Sequence, residues 1–293
     1  MAALIDPLPR PSEAYRIPEL LQDIRLLDLL ELSGSTVQAS RLLSLSQPTV
    51  SRRYRLLAQD FGLQQAPRQL MRCCYGSTEA MRWLRLGCRA HRLAAGVARI
   101  GADLMHQPLL EGISGLLPVP TRFRSIHAWA ALVREGVLDA ALVSGLEIQA
   151  AGTQLDWSGL QWMELGNLPL ALRIDRAARG SNAGLPPVLV PLRAIAPGLH
   201  RTLRALDLQL STAGNSCISA EQWLQRLATH SVAMPTYQPP TSDQTIKHEH
   251  RHVLLPGSAQ ATVGALLPKG DEGGGPLDHA LRQIKGRIYA RFA

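Results

Sequence analysis

Apolar residues recur at helical spacing in three segments near the start of the chain. Their positions predict helices from about Pro18 to Leu32, from Thr36 to Leu43 and from Pro48 to about Asp60. Gly34 and Gly62 follow the first and the third segment, and glycine is a common stop signal for a helix. A short connection joins the second segment to the third, so these two are predicted to form a helix-turn-helix.

The third segment has two unlike faces. Its apolar residues form one stripe at helical spacing: Val50, Tyr54, Leu57 and Phe61. Ser46 suits the N-cap position, and Pro48 suits the first turn, where a backbone N–H lacks an intrahelical partner. The residues that lie mostly off the stripe are Gln47, Thr49, Ser51 and the arginines Arg52, Arg53 and Arg55, of which Arg53 is not among the predicted DNA contacts. A helix with one packed face and one polar, arginine-bearing face is suited to the major groove of DNA.

We therefore predict that this polar face contacts double-stranded DNA. The side chain of Gln47 suits adenine, and that of Arg52 suits either a guanine edge or a phosphate. Thr49 and Ser51 suit contacts with the DNA backbone. For each residue of the face, the alternative is a solvent-facing side chain that contacts nothing.

The positive charge of the chain is concentrated around this helix. The formal net charge is +8 over 293 residues. Residues 41–99 contain eleven Arg against Asp60 and Glu79, a net charge of +9, whereas residues 1–40 carry −3 and residues 100–293 carry +2. Basic charge beside a helix-turn-helix favours binding to a phosphate backbone.

A fourth helical segment is predicted at 79–98, with two stripes. One contains small and apolar residues: Ala80, Trp83 or Leu84, Gly87, Ala90 or His91, Ala94 and Val97. The other contains arginines at spacings of three and four: Arg82, Arg85, Arg89 and Arg92. The arginine stripe is typical of a solvated face, and the alternative is direct contact with DNA.

From Arg99 onward, short apolar strands alternate with helical segments, which indicates an α/β domain with a mostly parallel sheet. Helices are expected at 126–135, 198–207, 219–229 and 277–292. Strands are expected at 138–143, on both sides of a tight turn at Gly166-Asn167, and at 185–190, 231–235 and 262–268. A second lobe is expected to start at the strand 185–190, with a ligand cleft between the two lobes.

Residues 24–62 resemble the DNA-binding region of the LysR-type transcriptional regulators. The residues that carry the resemblance, in one register without a gap, are Ile24, Leu27, Gly34-Ser35, Ala39, Leu43, Ser46-Gln47-Pro48, Val50, Ser51-Arg52, Leu57 and Gly62. Arg68 matches an arginine of the family's wing, although Gln65-Ala66-Pro67 departs from the family pattern before it. A second match, L-x-x-G-x-L-D-x-x-L, consists of Leu132, Gly136, Leu138, Asp139 and Leu142.

The resemblance implies a fold and a division of the chain. It implies an N-terminal all-α winged helix-turn-helix with a linker helix, and a C-terminal α/β two-lobed domain like that of periplasmic binding proteins. The expected parts are a flexible arm at 1–16, the DNA-binding domain at 17–78, the linker helix at 79–98 and an effector-binding domain at 99–293. Within the last part, lobe 1 covers about 99–175 and 256–293, and lobe 2 about 176–255.

The resemblance also implies partners and sites. Two subunits are expected to pair through the linker helix, as a homodimer or a homotetramer, and Arg68 is expected to contact DNA. A small-molecule effector of unknown identity is expected between the lobes. Hydroxyl groups near strand ends and helix starts are its candidate contacts, and these are Ser144, Thr202 and Ser216. The alternative for each hydroxyl is a purely structural role.

Catalytic, cofactor and metal motifs are missing from the sequence, so we expect no enzyme and no cofactor. The chain has no Walker loop, GxGxxG, GxSxG or HExxH pattern. His248, His250 and His252 alternate, but three ligands this close rarely complete one tetrahedral site, so an exposed edge or loop is the expectation. The cysteines, Cys73, Cys74, Cys88 and Cys217, show neither zinc spacing nor a disulfide framework.

The sequence also bears on location and on rival functions. It contains no signal peptide and no long apolar run, so a cytoplasmic protein without membrane contact is expected. The resemblance implies that the protein is bacterial. One rival is a DNA-binding protein whose sensor part has degenerated and serves oligomerisation or partner binding. The other is an enzyme or a solute binder fused to a helix-turn-helix.

Overall fold

The computed structural model describes residues 18–64, 75–175, 185–214, 219–238, 250–255, 259–270 and 275–290. The predicted arm at 1–16, the wing residue Arg68, Ser216 and His248 lie outside these residues. The helices are α1 (Gln22–Ser33), α2 (Thr36–Leu43), α3 (Gln47–Asp60), α4 (Glu79–Ala94), α5 (Ile126–Arg134), α6 (Gly145–Ala151), α7 (Pro197–Ala205), α8 (Ala220–Thr229) and α9 (Pro276–Ala290). The strands are β1 (Ile100–Gly101), β2 (Ala140–Ser144), β3 (Leu160–Asp175), β4 (Val188–Val190), β5 (Leu210–Thr212), β6 (Ala233–Tyr237), β7 (His250–Leu254) and β8 (Gln260–Pro268).

The first three helices have the bounds that the sequence predicts, to within a turn. Ser35 caps α2 by accepting a hydrogen bond from the N–H of Gln38, and Ser46 caps α3 by accepting one from that of Thr49. Gly34 has a φ of +65°, a left-handed conformation that ends α1 at little steric cost. Local capping chemistry therefore sets these boundaries.

A small apolar core joins the three helices. Its members include the residues that the helical pattern placed inside: Ile24, Leu27, Leu30, Ala39, Val50 and Leu57. Ala39 is fully buried, because a small side chain is needed where α2 approaches its neighbours.

Three of the four arginines in the stripe of α4 face inward, which contradicts both the solvated face and the DNA contact considered above for Arg85, Arg89 and Arg92. Arg82, the first of the stripe, is exposed. Arg85 and Arg92 are each 1% exposed, and Arg89 is largely buried. The reason is electrostatic: buried Asp28 and Asp139 lie opposite these arginines and form ion pairs with them. The side of α4 that is exposed is the one with small and apolar residues, including Trp83, which is 64% exposed.

Within the described part of the chain, the strands form one sheet in the order β1-β2-β8-β3-β6-β4-β5, with β7 beside β3. The expectation of a mostly parallel sheet is wrong. β8 is antiparallel to both β2 and β3, and β3 is antiparallel to β6 and β7, while β1–β2, β4–β5 and β4–β6 are parallel. The sheet is mixed because β6, β7 and β8 all run antiparallel to β3.

The tight turn expected at Gly166-Asn167 is also wrong, because β3 continues through these residues. Its pairing with β8 runs from Leu160 to Pro169 and is interrupted only by a register shift between Glu164 and Gly166. Gly166 has a φ of +148°, and a Cβ on it would lie 2.7 Å from the Cγ2 atom of Ile288 on α9. Glycine is present here to permit a bulge and the close packing of α9, not to reverse the chain.

The N-terminal helices pack directly on the α/β part. Leu29 and Leu32 of α1 belong to one apolar cluster with Trp129 and Val133 of α5. Arg124 donates hydrogen bonds to the carbonyl groups of Glu31, at 2.9 Å, and Leu32, at 2.5 Å. The last turn of α1 is thus capped by a side chain from the α/β part, which fixes the position of the helix-turn-helix.

Candidate functional site

The polar face of α3 is exposed, as the sequence predicts. Gln47, Thr49, Arg52 and Arg55 are exposed, and Ser51 is partly exposed. On the opposite face Val50 is fully buried and Leu57 is 8% exposed. We call the five residues Gln47, Thr49, Ser51, Arg52 and Arg55 the polar face of α3.

Hydrogen bonds orient the start of this face. The Oγ atom of Ser46 lies 3.3 Å from the N–H of Thr49 that it caps and 2.7 Å from the Thr49 hydroxyl. The side-chain amide of Gln47 donates to the hydroxyl of Thr36 at 3.2 Å, which ties α3 to α2. The side chain of Gln47 is therefore held at the start of α3, while its carbonyl oxygen stays available.

The arginines of α3 are not equivalent. Arg53 forms an ion pair with Asp23 of α1, with 3.4 Å between Nη2 and Oδ1. Arg52 and Arg55 form no ion pair within the part of the chain that the structure describes. Two cations on the polar face are therefore available to phosphates or base edges.

Tyr54 braces α3 from its buried side. Its hydroxyl donates to the carbonyl of Tyr75 at 3.2 Å, and the two rings meet edge to face at 5.2 Å. Glu31 of α1 accepts a hydrogen bond from the N–H of Tyr75 at 2.7 Å. Burial, followed by the nearby charge of Glu31, raises the pKa of Tyr54 above its usual value, so the phenol is neutral and remains a donor.

A buried charge cluster connects α1, α4 and the α/β part. Asp28 accepts from Nε of Arg85 at 3.0 Å and from Nη1 of Arg99 at 2.7 Å. Asp139 accepts from Nη2 of Arg92 at 2.9 Å and forms an ion pair with Arg89 at 3.2 Å. The cluster connects α1 and α4 to the residues that precede β1 and β2.

A small cavity lies between α6 and α7, where the effector cleft was expected. Its volume is about 30 Å³. The lining residues are Asp103, Met105, His106, Phe123, Arg124, Ser144, Leu146, Glu147, Ile195, Ala196 and Leu199. A cavity of this size holds about two water molecules. Pockets for drug-sized molecules are at least about tenfold larger.

Of the two expected effector contacts that the structure describes, Ser144 and Thr202, one lines this cavity. Ser144 does, but its Oγ atom also accepts from the N–H of Leu146 at 3.2 Å as the N-cap of α6. Thr202 lies on α7, is partly buried and is absent from the lining. Ser216 is outside the described residues.

Glu147 is a site residue that the sequence did not indicate. Its carboxylate accepts from the N–H of Gly198 at 3.1 Å and from that of Leu199 at 2.8 Å, at the start of α7. Burial raises the pKa of Glu147, against the lowering effect of these two hydrogen bonds. No local sequence pattern pairs residue 147 with residues 198 and 199, so the contact could not be foreseen.

A chain of buried polar groups runs along one wall of the cavity. Nδ1 of His106 lies 2.7 Å from Oδ1 of Asp103, and Nε2 lies 2.9 Å from the hydroxyl of Tyr237, which is also hydrogen-bonded to Ser144. An imidazole that donates from Nδ1 to the carboxylate accepts at Nε2 from the phenol. Burial raises the pKa of Tyr237. These hydrogen bonds satisfy polar groups that are buried beside the cavity.

The histidine pattern near the C-terminus forms part of a strand. The backbone of His250 and His252 lies in β7, opposite Asp175 and Arg173 of β3. Among the residues described by the structure, no group of three or more His, Cys, Asp or Glu could hold a metal ion. Among the same residues, no helix has the length and apolarity that a membrane span requires. Cys88 is buried with a free thiol, and the other cysteines are outside the described ranges.

Comparisons with known proteins give matches in structure but not in sequence. No family model matches the chain, and no curated protein matches it. The structure of CbnR, a LysR family transcriptional regulator, is similar over 92% of this chain and 98% of that one, with 12% identity and a TM-score of 0.48. The structure of CbnR in complex with its target DNA is similar over 92% of this chain and 99% of that one, with 11% identity and a TM-score of 0.45.

A third match is HinK, a LysR family transcriptional regulator from Pseudomonas aeruginosa. The similarity covers 93% of this chain and 99% of that one, with 16% identity and a TM-score of 0.43. Similarity at this level does not decide what the chain does, so its function has to be inferred from its own residues.

Proposed function

We propose that the chain is a sequence-specific DNA-binding transcription regulator that resembles the LysR type. The observation that carries the proposal is the polar face of α3. It presents Arg52 and Arg55 outward on a helix whose apolar side is buried, whose start is capped by Ser46 and whose Gln47 is held by α2. A rigid helix with this division of faces is suited to the major groove of double-stranded DNA.

The proposal includes the division of the chain given by the resemblance. Residues 17–78 form the winged helix-turn-helix, with Arg68 in the wing as a further DNA contact. Residues 79–98 form the linker through which two copies pair, and residues 99–293 form a two-lobed effector-binding domain. The protein acts without enzymatic activity, in the bacterial cytoplasm, as a homodimer or homotetramer.

The exposed side of α4 supports self-association. Ala80, Gly87, Ala90 and Ala94 are exposed on it, beside the largely exposed indole of Trp83. Small side chains allow a second helix to approach closely, and an exposed tryptophan is costly to leave in water. A second copy of the same helix would cover this surface and would place two DNA-binding faces in one assembly.

The test of the proposal is binding to the DNA upstream of the protein's own gene. We expect salt-dependent binding, and we expect Arg52→Ala to weaken it about tenfold or more, because a guanine or phosphate contact is lost. Arg204→Ala is the matched control, since Arg204 is an exposed arginine at the far end of α7. Equal affinity of Arg52→Ala and the wild type would refute the role of the α3 face.

A second candidate function is favoured by the size of the cavity. At about 30 Å³ it leaves no room for a metabolite, which suits a DNA-binding protein whose sensor part has degenerated and serves oligomerisation or partner binding. Thermal unfolding with a broad panel of small metabolites distinguishes a degenerate sensor from an effector-binding domain. A saturable rise in Tm with one metabolite supports an effector-binding domain, and no rise across the panel supports the degenerate sensor.

A further inference from the structure

The start of α7 is pressed against the backbone of α6. A Cβ on Gly198 would lie 2.1 Å from the carbonyl oxygen of Leu146 and 3.0 Å from the backbone nitrogen of Glu147. No side chain fits between the two helices here, and no ligand does either. Glycine at position 198 is required by this contact rather than by its backbone conformation.

The first N–H groups of α7 donate hydrogen bonds to a residue that is distant in the sequence. The first-turn N–H groups of any helix lack intrahelical partners and attract negative charge. Ala196, the residue before α7, provides no side-chain cap. The two oxygens of the Glu147 carboxylate instead accept from Gly198 and Leu199, at 3.1 and 2.8 Å. These are the groups that a free anion would use.

The neighbouring cavity leaves no second place for an anion. Glu147 and Leu199 line it, and the remaining volume of about 30 Å³ holds about two waters. Asp103, a second carboxylate, also lines it, and its charge contributes to the raised pKa of Glu147. Another anion would have to enter beside the carboxylates of Asp103 and Glu147, at an electrostatic cost that the guanidinium of Arg124 in the same lining offsets only in part.

We propose that Glu147 is a built-in occupant of the anion position at the start of α7, which keeps α6 and α7 together and excludes small carboxylates from the cavity. The carboxylate of Glu147 thus occupies the position in which a carboxylate metabolite would otherwise bind. The proposal rests on the proposed function in one respect, because it treats this cavity as the place where an effector would bind. It does not depend on DNA binding.

Chemical rescue tests the proposal on the full chain without DNA. Glu147→Ala removes the atoms of one acetate, so sodium acetate should refill the space and restore both hydrogen bonds. Relative to sodium chloride at equal ionic strength, we expect acetate to raise the Tm of Glu147→Ala by about 2–4 °C, saturably, and to leave the wild type unchanged. DNA binding, measured separately, fails or succeeds independently of this result.

Two control variants separate rescue from general stabilisation. Ser219→Ala removes the N-cap of α8 and leaves no carboxylate-sized space, so acetate should not stabilise it. Glu147→Gln keeps the space filled and should not respond either. The proposal is overturned if acetate raises the Tm of the wild type as much as that of Glu147→Ala. It is equally overturned if Glu147→Ala responds no more than Ser219→Ala.

A measurement on the wild type covers the case in which Glu147→Ala does not fold. Amide hydrogen exchange at Gly198 and Leu199 should be slow without any added ligand, because Glu147 accepts from both N–H groups. Exchange at the rate of unprotected amides would overturn the proposal.

Discussion

At the scale of single residues, two buried carboxylates organise the junction between the helical and the α/β parts. Asp28 and Asp139 are 1% and 0% exposed, and arginines from α4 and from the segment before β1 surround them. A buried charge without a partner is costly, so each aspartate stabilises the fold chiefly by preventing arginines from being buried alone.

We expect Asp28→Ala to lower the free energy of unfolding by about 3–5 kcal/mol, because it leaves Arg85 and Arg99 buried without their carboxylate. Urea denaturation measures the change. Asp23→Ala is the control, since the pair between Asp23 and Arg53 is exposed and should contribute below about 1 kcal/mol. Similar losses for the two variants would contradict the account of the buried cluster.

The residues of this junction show where prediction from sequence ends. Ser35 and Ser46 were predictable as caps because they bond to residues three positions away. The burial of Arg85 and Arg92 was not predictable, because their partners Asp28 and Asp139 are 57 and 47 positions away. A helical stripe of arginines has the same pattern whether it faces solvent, DNA or buried carboxylates.

At the scale of elements, β3 decides the topology of the sheet. It pairs with β8 along its first part and with β6 and β7 along its last residues, so it joins the two halves of the sheet. The sequence around Gly166-Asn167 suggests a turn, because glycine and asparagine are turn residues. That these residues form a bulge within β3 is seen only from the continued pairing with β8, a strand more than ninety residues later in the chain.

We expect Gly166→Ala to destabilise the protein by about 1–3 kcal/mol through the clash with Ile288, in addition to about 1 kcal/mol for the positive φ. Gly159→Ala is the matched control, since Gly159 has a φ of +69° and no atom within 4 Å of the position that a Cβ would take. Thermal or urea unfolding of the two variants gives the comparison. If Gly159→Ala is as destabilised as Gly166→Ala, the close packing of α9 is not the reason for the glycine.

At the scale of the whole molecule, the helix-turn-helix and the α/β part form one packed body. The apolar contact of Leu29 and Leu32 with α5, the capping of α1 by Arg124, and the buried ion pairs all cross the same junction. The α/β part is therefore in direct contact with α1, and α1 is in contact with α3 through their shared apolar core.

Self-association through α4 gives a prediction at this scale. Trp83→Glu should weaken the oligomer strongly, because a charge would replace the largest apolar group on the proposed contact surface. Sedimentation velocity over a range of protein concentrations measures the effect. Trp157→Glu, which changes an exposed tryptophan away from α4, should leave the oligomer unchanged, and dissociation by both variants alike would argue against α4 as the contact.

The most direct test of the central claim is the salt dependence of binding to the upstream DNA, measured for the wild type, Arg52→Ala and Arg55→Ala. The logarithm of the wild-type affinity should fall linearly with the logarithm of salt concentration. For each variant that loses a phosphate contact, the slope should become shallower by about 0.9. The account would be contradicted if both variants kept the wild-type slope and the wild-type affinity. It would also be contradicted if the wild type showed no salt-dependent binding to any DNA.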